Sequence, residues 1–155
     1  MSNEIQIIVK WFSDAKPNPT IEDACVQIGC HYEEVGEMAA ATGDGDVHSD
    51  CDNAGYHYKA KNKNYLSDLE LLYKDDEVKI ELLDSLCDQI VTAVGVGHML
   101  NLDIAGALNE VIASNDSKRM PDGSFPLDEN GKIAKESPNF FKPDLSKFIG
   151  STSDK

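Results

Sequence analysis

Residues 77–100 read EVKIELLDSLCDQIVTAVGVGHML, and this stretch decides the fold. Apolar side chains recur around most of a helix circumference, which predicts one long helix that is central and largely buried. Glu81, Asp84 and Asp88 are exceptions, and their spacing places them on a single face of that helix. Carboxylates on a buried helix need a cation, because an unpaired charge is costly away from water. The stretch therefore predicts both a core helix and a place where cations bind.

A second acidic signature, Glu33-Glu34-Val35-Gly36-Glu37, lies on another predicted helix earlier in the chain. Its carboxylates are also spaced so that they share one helix face. If the two helices pack antiparallel, the two acidic sets can converge on shared divalent ions, and oxygen ligands suit Mg²⁺, with Mn²⁺ as a second option. Glu33 and Asp88 then lie at the edge, as oxygens for a second ion or a water. The predicted metal ligands are Glu34, Glu37, Glu81, Asp84 and Asp88.

The composition limits the classes of partner. The chain has 155 residues and a formal net charge of −14, which argues against nucleic acid or an anionic membrane surface because both need basic patches. The charge does not oppose a nucleotide that arrives bound to metal. No signal peptide and no apolar run of membrane-spanning length is found. The four cysteines form no CxxC pair, so the sequence predicts reduced thiols and a cytoplasmic protein.

Periodicity and capping signals predict the remaining elements. The predicted helices are Asn3 to Asp14, Ile21 to about Thr42 with a capping box of Thr20 and Asp23, Leu66 to Lys74, Glu77 to about Leu100 after a cap at Asp75 or Asp76, and a last helix from a cap at Asp103 to about Ser117. Between Gly43 and Asn64 the periodicity is lost, and glycine and aspartate predict an acidic loop. The predicted organisation is one all-α domain, residues 1–155, with a helical core at about 3–118 and an irregular C-terminal arm at about 119–149.

These motifs resemble a known family. The pattern EExxE, a spacer and then ExxD on an apolar helix looks like the all-α nucleoside triphosphate pyrophosphohydrolases of the MazG-like group. Asn109 to Lys118 and Gly131 to Leu145 resemble the C-terminal half of the phage-type subgroup. The resemblance covers roughly Thr20 to Leu145. It implies a MazG-like four-helix-bundle fold with an irregular C-terminal arm, and location in the host cytoplasm if a phage encodes the chain.

The resemblance also implies an activity. Water would attack the α-phosphorus of a nucleoside triphosphate in the presence of Mg²⁺, releasing a monophosphate and pyrophosphate and so adjusting the nucleotide pool, with dGTP or dCTP as plausible substrates. The carboxylates at positions 34, 37, 81 and 84 would bind metal, and Glu33 or Glu34 would take the proton of the water. Lys118 would neutralise charge that grows on the leaving phosphates, and Asn115 would hydrogen-bond sugar or phosphate.

Three further residues are candidate substrate contacts. Trp11 can stack on a base, although an aromatic residue on an amphipathic helix is more often part of a core. Lys135 and Asn139 lie in an arm with phenylalanines and prolines, which predicts either a flap over a nucleotide or an ordinary surface arm. The substrate-binding set is then Trp11, Asn115, Lys118, Lys135 and Asn139.

Alternative functions stay open at this point. The same fold would suit an all-α dUTPase or a phosphoribosyl-ATP pyrophosphohydrolase. Acidic faces alone would suit a non-catalytic acidic metal-binding interaction module. A zinc site built from cysteines 30 and 51 with nearby histidines matches no common zinc module. The very apolar helix at residues 77–100 predicts a partner subunit, in a homodimer or homotetramer.

Overall fold

The computed structural model describes residues 3–150, and the fold is all-α, as the sequence predicts. An isolated antiparallel bridge joins Leu102 and Ile149. The helices are α1 (Asn3–Ala15), α2 (Ile21–Ala41), α3 (Gly45–Lys59), α4 (Lys63–Leu72), α5 (Asp76–Met99) and α6 (Ile104–Asp116), followed by a 3-10 turn (Ser146–Phe148).

The chain forms two compact units, each assembled from separate stretches of sequence. The first, called the α1–α6 unit below, contains α1, α5 from Lys79 onward, α6 and the arm except residues 127–132. The second, called the α2–α3 unit, contains α2, α3, α4 and the turn at residues 127–132. Each unit is described by itself.

The start of α2 is confirmed in detail. The Thr20 hydroxyl oxygen accepts the Asp23 amide at 3.2 Å, and the Thr20 amide donates to the Asp23 carboxylate at 2.9 Å. This reciprocal capping box satisfies amides that have no partner inside the helix. The centre of the α2–α3 unit is small and tightly closed, since Cys25, Val26 and Ala39 are only 0%, 4% and 5% exposed.

Residues 45–59 form a helix, so the predicted acidic loop between Gly43 and Asn64 is wrong. The Asp44 carboxylate caps α3 by accepting the Val47 amide at 3.1 Å. In the sequence, an aspartate beside glycine is also typical of a loop, so the cap is not recognised there. The contact between α2 and α3 needs few large apolar side chains because the backbones approach closely. A Cβ atom on Gly29 would lie 2.7 Å from the Gly55 carbonyl oxygen. A helix packed in this way shows little apolar periodicity.

Helix α5 has the predicted bounds but not the predicted burial. The Asp75 carboxylate accepts the Glu77 amide at 2.9 Å and so marks its start. Gly97 is the one buried residue of α5, and nine of the large apolar residues of α5 range from 40% exposed at Leu82 to 79% at Met99. The prediction of a buried helix is therefore wrong for a single chain. The apolar pattern is real, but one chain leaves it in contact with solvent.

In the α1–α6 unit, α1 packs against α6. Asp103 caps α6 by accepting the Gly106 amide at 2.9 Å. Between the helices is a small cavity of about 110 Å³. Its lining residues are Ile8, Trp11, Phe12, Leu108, Val111, Ile112 and Asn115.

The arm after α6 is irregular, as predicted, and serine hydroxyls attach it to the end of α6. Ser114 is 4% exposed and donates to the Phe141 carbonyl at 2.8 Å. Ser117 accepts the Phe141 amide at 3.2 Å. Ser137 is 6% exposed and donates to the Arg119 carbonyl at 2.8 Å. These hydrogen bonds, two of which are part-buried, hold the arm that carries Lys135 and Asn139.

All four cysteines are free thiols, as predicted, with Cys25 buried and Cys87 exposed. Within residues 3–150, every helix is too short or too polar to cross a membrane.

Candidate functional site

The acidic signature of α2 contains carboxylates with different surroundings. Glu33 is half-buried, whereas Glu34 and Glu37 are exposed. Residues three and four apart on a helix are neighbours, with about 5–6 Å between their Cβ atoms. Glu34 and Glu37 therefore offer carboxylate oxygens one turn apart on an accessible face. This is the donor chemistry that Mg²⁺ prefers in proteins.

Both carboxylate oxygens of Glu33 contact lysines of the same unit. The Lys59 ammonium donates to Oε1, and the Lys132 ammonium donates to Oε2 at 3.0 Å. Partial burial acts to raise the pKa of Glu33, but the hydrogen bonds and charges of the two lysines outweigh it and lower that pKa. A carboxylate held in its charged form is a poor proton acceptor. Of the two predicted proton acceptors, Glu34 has the more suitable surroundings.

Two glycines make room for the pair of Glu33 and Lys59 where α2 crosses α3. A Cβ atom on Gly29 would lie 2.7 Å from Lys59 Cγ, and one on Gly55 would lie 3.4 Å from Glu33 Cγ. Gly29 thus leaves space for the aliphatic part of Lys59, and Gly55 lies in ordinary contact with that of Glu33.

Lys132 is presented to Glu33 by a tight turn. The Asp128 carboxylate accepts the amides of Asn130 and Lys132, both at 2.9 Å, and the Asp128 amide donates to the Lys132 carbonyl at 2.8 Å. Gly131 has a φ of 87°, a conformation that glycine adopts without strain. The backbone of Lys132 is therefore fixed by local hydrogen bonds before its side chain reaches α2.

The second acidic set lies in the α1–α6 unit. Glu81, Asp84 and Asp88 are exposed on α5 and share one helix face through their spacing. The two sets of predicted metal ligands thus belong to different compact units. Within residues 3–150, no group of three or more His, Cys, Asp or Glu side chains is arranged to hold a metal ion.

Three of the predicted substrate contacts are brought together in the α1–α6 unit. The Trp11 indole N–H donates to the Asn115 carbonyl at 3.1 Å. The Lys118 ammonium donates to Asn115 Oδ1 at 2.6 Å and lies 5.8 Å from the centroid of the Trp11 ring, within the range of a cation–π contact. An indole face, an amide and an ammonium therefore form one cluster.

The other two predicted contacts, Lys135 and Asn139, lie in the arm of the same unit. Both side chains are exposed. The Lys135 ammonium lies 5.9 Å from the centroid of the Phe140 ring, and the main-chain N–H of Asn139 donates to Ser137 Oγ at 3.2 Å. Both of these contacts are with neighbours in the arm.

Sequence reasoning assigned no role to Lys59 or Lys132. Lys59 falls in the stretch predicted to be loop, and its helical position became visible only in the structure. The turn signal Asp128-Glu129-Asn130-Gly131 does precede Lys132, and it could have marked Lys132 as a residue with a fixed backbone.

No protein-family model, curated protein or solved structure matches the chain.

Proposed function

We propose that the chain is a Mg²⁺-dependent nucleoside triphosphate pyrophosphohydrolase, which cleaves a (deoxy)nucleoside triphosphate into a monophosphate and pyrophosphate. The observation that carries the proposal is the cluster of Trp11, Asn115 and Lys118. Trp11 and Asn115 are 104 positions apart in sequence and are joined by a hydrogen bond of 3.1 Å. An aromatic face for a base, an amide for a sugar or phosphate and an ammonium for phosphate are the groups that nucleotide binding requires.

The carboxylates of the chain suit the cation that this reaction needs. Glu34 and Glu37 are exposed, are one turn apart and offer only oxygen ligands. In the proposal they bind Mg²⁺ or Mn²⁺, and Glu81, Asp84 and Asp88 of α5 are the second set of ligands. When bound, such a cation would neutralise phosphate charge and lower the pKa of a water. The same exposed carboxylates leave the non-catalytic interaction module as the competing outcome of the test below.

The chemistry assigned to the protein's own groups is a single displacement at the α-phosphorus. A water oxygen forms a bond to that phosphorus, and the bond from it to the oxygen bridging the α- and β-phosphates breaks, so that pyrophosphate leaves. Glu34 takes the proton of the water. Lys118 neutralises charge on the leaving group, and Asn115, whose Oδ1 accepts from Lys118, directs its amide N–H groups to the sugar or phosphate.

A test of this activity uses purified protein, Mg²⁺ and a panel of dGTP, dCTP, dUTP, other triphosphates and phosphoribosyl-ATP. Equal amounts of monophosphate and pyrophosphate are expected. Glu37→Gln and Asp84→Asn should each reduce turnover at least about tenfold, or about 1.4 kcal/mol, with Glu70→Gln on α4 as an unaffected control. Stabilisation by Mg²⁺ without product from any nucleotide would instead identify the non-catalytic module.

Whether the two acidic sets act on one ion can be measured by a double-mutant cycle. If Glu37 and Asp84 share an ion, removing the second carboxylate after the first should cost far less than removing it alone. Independent, additive losses in Mg²⁺ affinity would contradict shared ligation. The cycle needs no assumption about how the two units are arranged.

We also propose that the fold is a MazG-like helical bundle that is completed by a second copy of the chain. The assembly would be a homodimer or homotetramer in the cytoplasm. Nine large apolar side chains of α5 are between 40% and 79% exposed. At roughly 60–120 Å² for each fully exposed side chain, they leave about 300–600 Å² of apolar surface. A standard interface buries about 800 Å² per partner, of which about 65% is apolar in homodimers, or roughly 520 Å². The exposed area of α5 matches that requirement.

The oligomer can be tested by light scattering with paired substitutions. The wild type should have two or four times the 17.0 kDa mass of the chain. Leu83→Glu on α5 should reduce that mass, whereas Leu71→Glu on α4 should not, although the two leucines are similarly exposed at 64% and 69%. A wild type that is monomeric at high concentration would contradict the proposal.

A further inference from the structure

The pair of lysines around Glu33 makes a local exception in an acidic protein. The chain carries a formal net charge of −14, yet two ammonium groups converge on this single carboxylate. The contact itself holds two positive charges and one negative charge, while the carboxylates of Asp128, which accepts the Lys132 amide, and of Glu34, next to Glu33 in the chain, lie nearby. The site is therefore not positively charged as a whole, but it offers an ammonium group with which a phosphate oxygen can pair.

The position of this triad relates it to the exposed carboxylates of α2. Glu33 and Glu37 are four residues apart, so about 5–6 Å separates their Cβ atoms. Glu34 is adjacent to Glu33 in the chain. The ammonium on Glu33 Oε2 at 3.0 Å is therefore within about one side-chain length of the proposed metal ligands. Phosphate oxygens bound to an ion at Glu34 and Glu37 would come within its reach.

The fixed backbone and exposed side chain of Lys132 also suit it to binding a ligand. Its backbone is held by the Asp128 turn, so little of it has to be ordered on binding. An ammonium has three N–H donors, and its contact with Glu33 uses one of them. Its side chain is 44% exposed, compared with 23% for Lys59. Lys59 is thus the structural member of the triad, and Lys132 is the accessible one.

We infer that Lys132 binds the phosphate groups of the substrate and that Glu33 is the positioning residue which aims it, with Lys59 holding Glu33 in place. The inference rests on the proposed function and extends it to a phosphate-binding residue that the sequence did not indicate. It also assigns Glu33 a role other than proton acceptor or metal ligand.

The test measures binding of inorganic tripolyphosphate in the presence of Mg²⁺ by calorimetry, so it does not depend on turnover. Lys132→Met should weaken binding at least about tenfold, the lower end of what a lost hydrogen bond to a charged group does. Lys132→Arg should stay within about threefold of the wild type. Glu33→Gln should cause a smaller loss, and none in the Lys132→Met background. Lys61→Met is the control, because Lys61 also faces a glutamate, Glu22, at 3.9 Å.

A split in the kinetics separates phosphate binding from a structural role. Lys132→Met should raise KM for the preferred nucleotide at least about fivefold and change kcat less than about threefold, with the thermal midpoint recorded alongside. If Lys132→Met lowers only the thermal midpoint, and its affinity for tripolyphosphate and its KM equal those of the wild type, the inference is overturned. Lys132→Arg and Glu33→Gln give the answer if the methionine variant does not fold.

The outcomes also distinguish this inference from the proposed function. Hydrolysis by the wild type with normal affinity in Lys132→Met would refute the role of Lys132 and leave the function standing. Binding of tripolyphosphate that depends on Lys132, without hydrolysis of any nucleotide, would refute the function and leave the phosphate site standing. A wild type that does not bind tripolyphosphate overturns the inference.

Discussion

The substitution Gly29→Ala tests the close crossing of α2 and α3 on which the Glu33 site is built. The added Cβ atom would lie 2.7 Å from the Gly55 carbonyl oxygen and 2.9 Å from the Lys59 amide nitrogen. Both are backbone atoms, which cannot rotate away, so the two helices would have to separate. The substitution would also displace the aliphatic part of Lys59, whose Cγ lies 2.7 Å from the same position.

The expected magnitude follows from two opposing terms. Alanine is favoured over glycine inside a helix by about 0.8–1 kcal/mol. Overpacking of a closed contact costs about 1–3 kcal/mol, and weakening the half-buried contact between Lys59 and Glu33 adds about 1 kcal/mol. The free energy of unfolding should therefore fall by about 1–3 kcal/mol. For a chain of this size the thermal midpoint should fall by about 2–10 °C.

Circular dichroism during thermal and urea unfolding measures this change. Gly45→Ala is the matched control in the same unit, because a Cβ atom there meets nothing within 4 Å and its effect should be neutral or slightly stabilising. If Gly29→Ala unfolds at or above the wild-type midpoint, α2 and α3 do not cross as closely as described, and the arrangement around Glu33 loses its support.

Three further predictions concern the α1–α6 unit. A hydrogen bond from Lys10 contributes most to lowering the pKa of Asp14 below its ordinary value of 3.8, so ionised Asp14 stabilises the fold above that pH and the stabilisation is lost as the pH falls below it. Asp14→Asn should therefore lower the thermal midpoint at pH 7 and have the same midpoint as the wild type in strong acid. A lower midpoint that does not depend on pH would contradict this. Ser114→Ala removes the hydroxyl, on a residue that is 4% exposed, that donates to the Phe141 carbonyl and should cost about 0.5–1.5 kcal/mol in urea unfolding, whereas no measurable loss would show that the arm is held by other contacts. Trp11→Leu should raise KM for the preferred nucleotide at least about fivefold, since stacking on a base contributes about 1–3 kcal/mol; an unchanged KM would make Trp11 a core residue only.

Structural features that depend on residues close together in the chain are predicted correctly from the sequence. The capping box at Thr20 and the cap at Asp103 are local hydrogen-bonding patterns, and both are present in the structure. They place the starts of α2 and α6 to the residue. The all-α class follows from the same patterns, because most of the chain lies in amphipathic segments with the helical period.

Helix α3 was missed because the features that stabilise it are not visible as periodicity. Its contact with α2 depends on Gly55 opposite Gly29, where the absence of side chains permits the crossing. In the sequence, the glycine and aspartate residues of this segment are as typical of a loop as of such a helix. Helix α5 shows a different limit of prediction from sequence. Its apolar pattern predicts that the helix is buried, but it does not show whether residues of the same chain or of a second copy bury it.

The candidate site could be predicted in part only. Its acidic residues are predicted from type and spacing and Trp11 from residue type, whereas Asn115 and Lys118 are predicted from the resemblance to the MazG-like group. The partners of Glu33 could not be found in this way, because Lys59 and Lys132 are 26 and 99 positions away in the chain. Such contacts depend on how α2, α3 and the turn at residues 127–132 pack, and no short motif encodes that packing.

The most direct test of the proposed activity is the position of the oxygen that water contributes. The reaction is run in water enriched in a heavy oxygen isotope, with Mg²⁺ and the nucleotide that gives the fastest release of pyrophosphate, and both products are weighed by mass spectrometry. Attack at the α-phosphorus predicts one heavy oxygen in the monophosphate and none in the pyrophosphate. Heavy oxygen in the pyrophosphate, or orthophosphate as the first product, would contradict the proposed reaction.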